Sequence, residues 1–303
     1  MDIPSSYLSK IRVAYPNLSL DHLELNQDGL VNDVVIVDRK LVCRFPRTEW
    51  AKDILAHEAK VLDVARYYAG LPLPRFEHLE EDFASYNLIE GEALSRETLL
   101  WLSNPLKRRI VEQLGTFLER LHGIPKDALD NAGVFPSGAI RTREDWLGFY
   151  EQLEGVLFPY LWRHQRRWVI EHFAPVLKGE LDLRFEPALI HGDLATYHVL
   201  LDPSARRLGG VIDFGTAGLG DPATDIATLL HYYGESIVRR MEPTYTQLPK
   251  LIDRARFWAG TLELQWALAG VLDDDVPMLL AHVGAARDVQ PLGAPLRCVG
   301  AAS

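Results

Sequence analysis

Strand-type patterning is confined to two short intervals of this chain, and helical patterning fills most of the rest. Val34 to Val37 and Leu41 to Phe45 are β-branched or aromatic runs separated by Asp38-Arg39-Lys40, a polar turn of hairpin size. They read as two antiparallel strands. Before them, Gln27-Asp28-Gly29-Leu30-Val31-Asn32-Asp33 has the composition of a strand-to-strand loop, with a single glycine. From Trp50 to Tyr68 apolar residues (Ile54, Leu55, Val61, Leu62, Ala65) recur at helical spacing around Glu58, until Leu71-Pro72-Leu73-Pro74 stops the helix. Phe83 to Glu90 reads as a further strand, closed by Gly91. Strand, strand, helix, strand describes a small antiparallel sheet with one helix packed on it. The second interval, Leu189 to Phe214, interrupts a region otherwise helical, as in Asn104 to Leu121, Glu144 to Leu157 and Pro249 to Leu272. The expectation is an α+β, bilobal protein: an N-terminal lobe over residues 1–90, a larger mainly helical lobe over 91–290, and a frayed tail over 291–303.

Composition narrows the function classes. The 303 residues carry 42 acidic against 32 basic side chains, a formal charge of −10, whereas nucleic-acid binders gather Lys and Arg. No nucleic-acid partner is expected. With 48% hydrophobic and 24% charged residues the chain is globular rather than disordered. Its two cysteines, Cys43 in an apolar run and Cys298 in the tail, fit a reducing compartment and leave no thiolate metal cluster. Cys43 reads as a small buried hydrophobe. No signal peptide and no apolar run of spanning length is visible. A cytoplasmic monomer without a membrane partner is expected.

Chemistry concentrates in the second strand interval. His191-Gly192-Asp193-Leu194-Ala195-Thr196-Tyr197-His198 is a loop between two apolar runs, with Asp193 and His198 five positions apart. Val211-Ile212-Asp213-Phe214-Gly215 is an apolar strand ending in Asp and then Gly, and Gly220-Asp221-Pro222-Ala223-Thr224-Asp225 opens a helix. Phosphoryl transfer needs this inventory: a carboxylate for the attacking hydroxyl and two ligands for a magnesium ion that neutralises the triphosphate. Individually, each Asp could cap a turn and each His sit satisfied in the core. The ordered spacing, with Asp-Phe-Gly after a strand, favours a site.

The stretch ALIHGDLATYHVLLDPSARRLGGVIDFGTAGLGDPATDIATLL, Ala188 to Leu230, resembles the catalytic and metal loops of the aminoglycoside phosphotransferases, which have the protein-kinase-like fold. It is most similar to the subgroup acting on the 2″-hydroxyl of gentamicin-type drugs, where His stands at the position of His198. The resemblance implies Asp193 as catalytic base and His198 and Asp213 as magnesium ligands. A nitrogen donor at His198 leaves room for manganese, because magnesium prefers oxygen. It implies Arg44 in place of the usual strand Lys and Glu58 as its helix partner, gripping the phosphates of ATP or GTP; the alternative is a solvated ion pair. It also implies a hinge at Tyr86 to Leu94 whose Asn87 and Ile89 backbone groups bind the purine, although a plain strand and turn would read alike. His191 is expected to hold its loop, Asp225 to cap its helix or brace the loop, and His122 to sit as a helix-end cap.

For the acceptor, the resemblance puts a substrate-facing carboxylate at Asp273, first of Asp273-Asp274-Asp275. A solvated loop or helix start would read the same. Another acidic position of the subgroup falls on His231. The implied function is a small-molecule kinase moving the γ-phosphoryl of ATP or GTP to a hydroxyl of an aminoglycoside or related aminosugar, as in antibiotic resistance. The competitors are a macrolide, choline-like or sugar kinase, a nucleotide-binding pseudokinase, and a metal hydrolase built on His191, Asp193 and His198.

Overall fold

The described chain opens with a helix that apolar periodicity does not announce, α1 (Ser5–Ala14). The computed structural model describes residues 3–27, 29, 31–140 and 142–283. Five antiparallel strands follow α1 in the order β1-β2-β3-β5-β4: β1 (Leu23–Asn26), β2 (Asn32–Val37), β3 (Leu41–Pro46), β4 (Phe76–Glu80) and β5 (Phe83–Asn87). The β2–β3 hairpin pairs Val37 with Leu41 and Val34 with Arg44. Its turn takes left-handed φ at Asp38 and Arg39, as turns that match strand twist do.

Alternation along β3 decides where its side chains go. Leu41, Cys43 and Phe45 join Val35, Val37, Phe83 and Ile11 of α1 in one apolar cluster, which sends Arg44 to the opposite face. There α2 (Glu49–Tyr68), capped by the Thr48 hydroxyl on the Ala51 N–H, buries Ala51, Leu55, Glu58, Leu62 and Ala65 at spacings of four and three. Glu58 thus lies on the inner stripe. Cys43 is fully buried, and burial pushes its thiol up to about 12, consistent with a packing role. Cys298 and the expected tail lie outside the described residues.

The loop between β1 and β2, of which Asp28 and Leu30 are outside the described residues, is tied down by Arg47. Its Nη1 and Nη2 donate to the carbonyls of Gly29 and Gln27, each at 2.7 Å, and its Nε to Asp33 at 2.7 Å. Asp33 also accepts from the Tyr7 hydroxyl at 2.7 Å, while the Tyr7 ring stacks on Phe45. Charge-assisted bonds of this kind contribute about 1.5–3 kcal/mol where shielded, and Arg47 is one-third exposed. Arg47→Ala is therefore expected to cost about 1–2 kcal/mol, read as a lower urea midpoint; an unchanged midpoint would show the tether to be dispensable.

The chain divides into two units: the residues up to Ala139 with Phe185–Ile252, and Ile140–Arg184 with the residues from Asp253 onward. Besides the sheet, the first unit holds β6 (Glu92–Ala93), α3 (Arg96–Trp101), α4 (Asn104–His122) and α5 (Lys126–Ala132). In the second, α6 (Arg143–Gln152) runs into a π-turn at Leu153–Leu157, so the helix expected over Glu144 to Leu157 changes pitch near its end. With α7 (Arg163–Leu177) it surrounds Trp146, which meets Phe173, Phe257 and Trp258 edge-on.

The first unit resumes with β7 (Ala188–Ile190), β8 (Val199–Asp202), β9 (Arg207–Val211), β10 (Gly218–Gly220), α8 (Ala223–Tyr233) and α9 (Glu235–Val238). The chain goes on through α10 (Leu248–Leu272) and α11 (Val276–Val283). β7 pairs with β10, and β8 pairs with both β6 and β9. No helix among the described residues is long and apolar enough to cross a membrane.

Candidate active site

The strands β7, β8 and β9 present their connecting segments together. Asp193 and His198 lie between β7 and β8, and Asp213 lies just after β9. The Ile212 N–H donates to the His198 carbonyl at 2.9 Å, so pairing continues until both side chains are in place. Gly192 is needed for the turn: its φ is +83°, and an added Cβ would stand 2.7 Å from the Thr216 carbonyl oxygen.

Below this loop lies Asp225, wholly buried on α8. Its two oxygens accept the backbone N–H groups of His191 and Gly192, each at 2.8 Å, and Oδ2 is also 3.1 Å from His122 Nε2. Burial opposes ionisation of Asp225, but these hydrogen bonds and the neighbouring imidazoles outweigh it and hold the carboxyl below its ordinary range. Asp225 thus braces the loop and does not cap its helix. His122 differs from its expected place: its ring lies between Asp225 and the Tyr245 hydroxyl, 2.6 Å from Nδ1, and does not turn back onto the carbonyls of α4. His191 donates from Nε2 to the Ile212 carbonyl and accepts the Asp193 N–H on Nδ1. Burial depresses its basicity, so it is a neutral tether with both nitrogens engaged.

His198 Nδ1 lies 2.8 Å from the Asp193 carbonyl oxygen. A carbonyl only accepts, so the ring hydrogen sits on Nδ1 and Nε2 is directed at Asp213 Oδ2, 3.3 Å away. Two lone pairs at that separation repel unless a proton or a metal cation lies between them. One imidazole nitrogen and one carboxylate are a donor set that a divalent ion accepts, the oxygen suiting magnesium and the nitrogen manganese as well. Among the described residues no group of three His, Cys, Asp or Glu side chains is placed to hold a metal, and both ring nitrogens of His191 are engaged by backbone groups. Desolvation pushes the Asp213 carboxyl up, while His198 and the positive charge of Arg44 pull it well below the usual range. Asp213 adopts φ +65°, a left-handed conformation that Asp tolerates at a cost of about 1–2 kcal/mol. The Asp193 carboxylate, about one-third exposed, is 3.7 Å from His198 Nδ1.

From the other side comes the pair on β3 and α2. Arg44 Nη1 lies 2.8 Å from both oxygens of Glu58, and both side chains are buried. This is not the solvated ion pair that the sequence left open. Glu58 Oε1 also accepts the Phe214 N–H at 3.3 Å, so one carboxylate joins β3, α2 and the backbone next to Asp213. Burial drives the Glu58 carboxyl up and Arg44 opposes it.

Asn87 is the last residue of β5, its side-chain amide donating to Glu77. The expected strand to Glu90 stops there because its partner β3 begins at Leu41: Leu88 N–H makes one more in-register bond, to the carbonyl of Lys40 in the β2–β3 turn. Ile89 sits half-buried in the following segment, beside Gly210 of β9, where an added Cβ would stand 2.6 Å from the Pro72 carbonyl oxygen, a close approach that requires glycine. Asp273 belongs to the second unit, exposed just after α10. In the same acidic triplet Asp275 accepts the Met278 N–H as a cap of α11. The first unit therefore gathers Arg44, Glu58, Asp193, His198 and Asp213; Asn87 and Ile89 lie in the same unit, and Asp273 does not.

The chain is similar to known phosphotransferases. The family model described as "Phosphotransferase enzyme family" (APH) matches residues 22–258. Viomycin phosphotransferase of Streptomyces vinaceus is 27% identical over 262 residues, 82% of this chain and 87% of that protein. The aminoglycoside 3'-phosphotransferase of Streptomyces fradiae is 26% identical over 162 residues, 52% and 57% of the two chains. Among solved structures, the GDP and kanamycin complex of APH(2")-IIia superposes with a TM-score of 0.83 at 25% identity, covering 92% of this chain and 96% of its own. Macrolide 2'-phosphotransferase type I is similar in fold, with a TM-score of 0.72 at 23% identity over 93% and 97%. Since the family pattern runs from β1 through the sheet and the clustered loops into α10, this chain belongs to the phosphotransferase enzyme family.

Proposed function

We propose that this phosphotransferase moves the γ-phosphoryl group of GTP or ATP to a hydroxyl of an aminoglycoside or related aminosugar. The observation that carries the reading is the meeting, in one unit, of the buried Arg44–Glu58 pair with Asp213, His198 and Asp193. Kanamycin and GDP in the APH(2")-IIia complex support an aminoglycoside acceptor and a guanine nucleotide donor. Residues 1–90 serve as the nucleotide lobe and 91–290 as the catalytic and acceptor lobe, in a cytoplasmic monomer.

Phosphoryl transfer leaves the protein mainly positioning and charge balance to supply. Asp193 orients the acceptor hydroxyl and takes its proton as the oxygen–γ-phosphorus bond forms and the bond to the β-phosphate breaks. Arg44, held by Glu58, steadies the α- and β-phosphates. Backbone groups of Asn87 and Ile89 hold the purine. His198 and Asp213 would hold magnesium or manganese, which when bound neutralises phosphate charge. Asp273 is proposed as a carboxylate for the acceptor's ammonium groups.

The test is nucleotide consumption with GTP or ATP, in magnesium or manganese, against kanamycin, viomycin, a macrolide and choline. Consumption that depends on kanamycin is expected. Consumption only with the macrolide or choline would overturn the acceptor class. Nucleotide binding without consumption by any acceptor would make the chain a binding module.

A further inference from the structure

The segment that carries Asp193 also carries an aromatic surface. Tyr197, directly before His198, leaves 52% of its surface exposed. Its ring meets that of His198 edge-on, with centroids 4.4 Å apart and planes at 79°. Tyr232 of α8 lies beside it at 6.2 Å and 82°. The exposed His231 ring stands edge-on to Tyr232 at 5.0 Å.

A half-exposed tyrosine is ordinary on a protein surface. This one is fixed from three sides: by the His198 ring, by Tyr232, and by a backbone whose His198 N–H bonds to the Ala195 carbonyl at 3.0 Å. A rigid aromatic ring has little entropy to lose on contact and offers its face to the C–H groups of a saturated ring. It packs on the His198 ring, whose Nδ1 lies 2.8 Å from the carbonyl oxygen and 3.7 Å from the carboxylate of Asp193, the group assigned to the acceptor hydroxyl.

We infer that Tyr197, backed by Tyr232, is a specificity-determining residue that holds the hydroxyl-bearing ring of the acceptor by packing against its C–H face. The inference rests on the proposed function and deepens it: near the transferred phosphoryl group, the shape of the acceptor's ring contributes to its selection.

Steady-state kinetics of the full chain with kanamycin and saturating nucleotide test it. Tyr197→Ala is expected to raise the kanamycin KM about tenfold, with kcat within about threefold and the nucleotide KM unchanged. Tyr197→Phe should keep the native kanamycin KM. Unchanged Tyr197→Ala kinetics in an otherwise active enzyme would remove the inference alone. A fall in kcat at constant KM would also overturn it, by making Tyr197 only a support for His198. An unmutated chain that transfers nothing to kanamycin would remove the proposed function, and the inference with it.

Discussion

Asp193→Ala and Asp213→Asn each remove most phosphoryl transfer while the protein stays folded. Asp193 loses the group that orients the acceptor hydroxyl and takes its proton, an effect of about 10²–10⁴ in rate for a positioned base. At Asp213 the asparagine keeps a residue type that tolerates φ +65° but removes the charge facing His198 Nε2 at 3.3 Å. A loss of about 10³ in kcat is expected there. Because both residues serve one transition state, the double variant should be scarcely slower than the worse single one. Both side chains are partly exposed, at 37% and 51%, so melting temperatures should move by only a few degrees. Native turnover in either variant would remove the role assigned to it.

Asp225→Ala has its largest effect on stability. The substitution leaves the N–H groups of His191 and Gly192, and the His122 ring, facing a buried void. Breaking such a network costs about 3–5 kcal/mol. Turnover should fall too, because the braced backbone is the one that positions Asp193. The pH dependence has a definite sign. Since the Asp225 carboxyl is held below its ordinary range, its contribution is complete above the unfolded value of about 3.9 and disappears as pH falls through the folded one. Urea denaturation from pH 7 down to pH 3 should therefore show a smaller acid-dependent loss for Asp225→Asn than for the unmodified chain. Parallel curves would mean that the ionisation of Asp225 is not linked to folding.

Much of this was legible before any coordinates. The helices α2, α4 and α10 follow from apolar periodicity, because each buries one continuous stripe, and the β2–β3 hairpin from its β-branched and aromatic runs around a polar turn. The Asp193, His198 and Asp213 cluster followed from ordered spacing at strand ends. The misses share a different cause. The α1 helix carries one fully buried residue, Ile11, with Tyr7 held by a ring stack, too little for a periodic pattern. β1 and β4 have no fully buried residue, so their composition resembles loop. The burial of Arg44 and Glu58 depends on a face assigned only once β3 and α2 are packed. His122 and Asp225 are 103 positions apart, and nothing local to either announces the other. Tyr197 looked like any loop aromatic until His198 and Tyr232 were placed around it.

The most direct measurement is phosphorus NMR of the full chain with kanamycin, magnesium and GTP, and in a second sample ATP. Transfer through Asp193 beside the His198–Asp213 pair predicts nucleoside diphosphate and a new phosphomonoester resonance growing in equal amounts. Inorganic phosphate without a phosphomonoester, or no loss of triphosphate with either nucleotide, would contradict it.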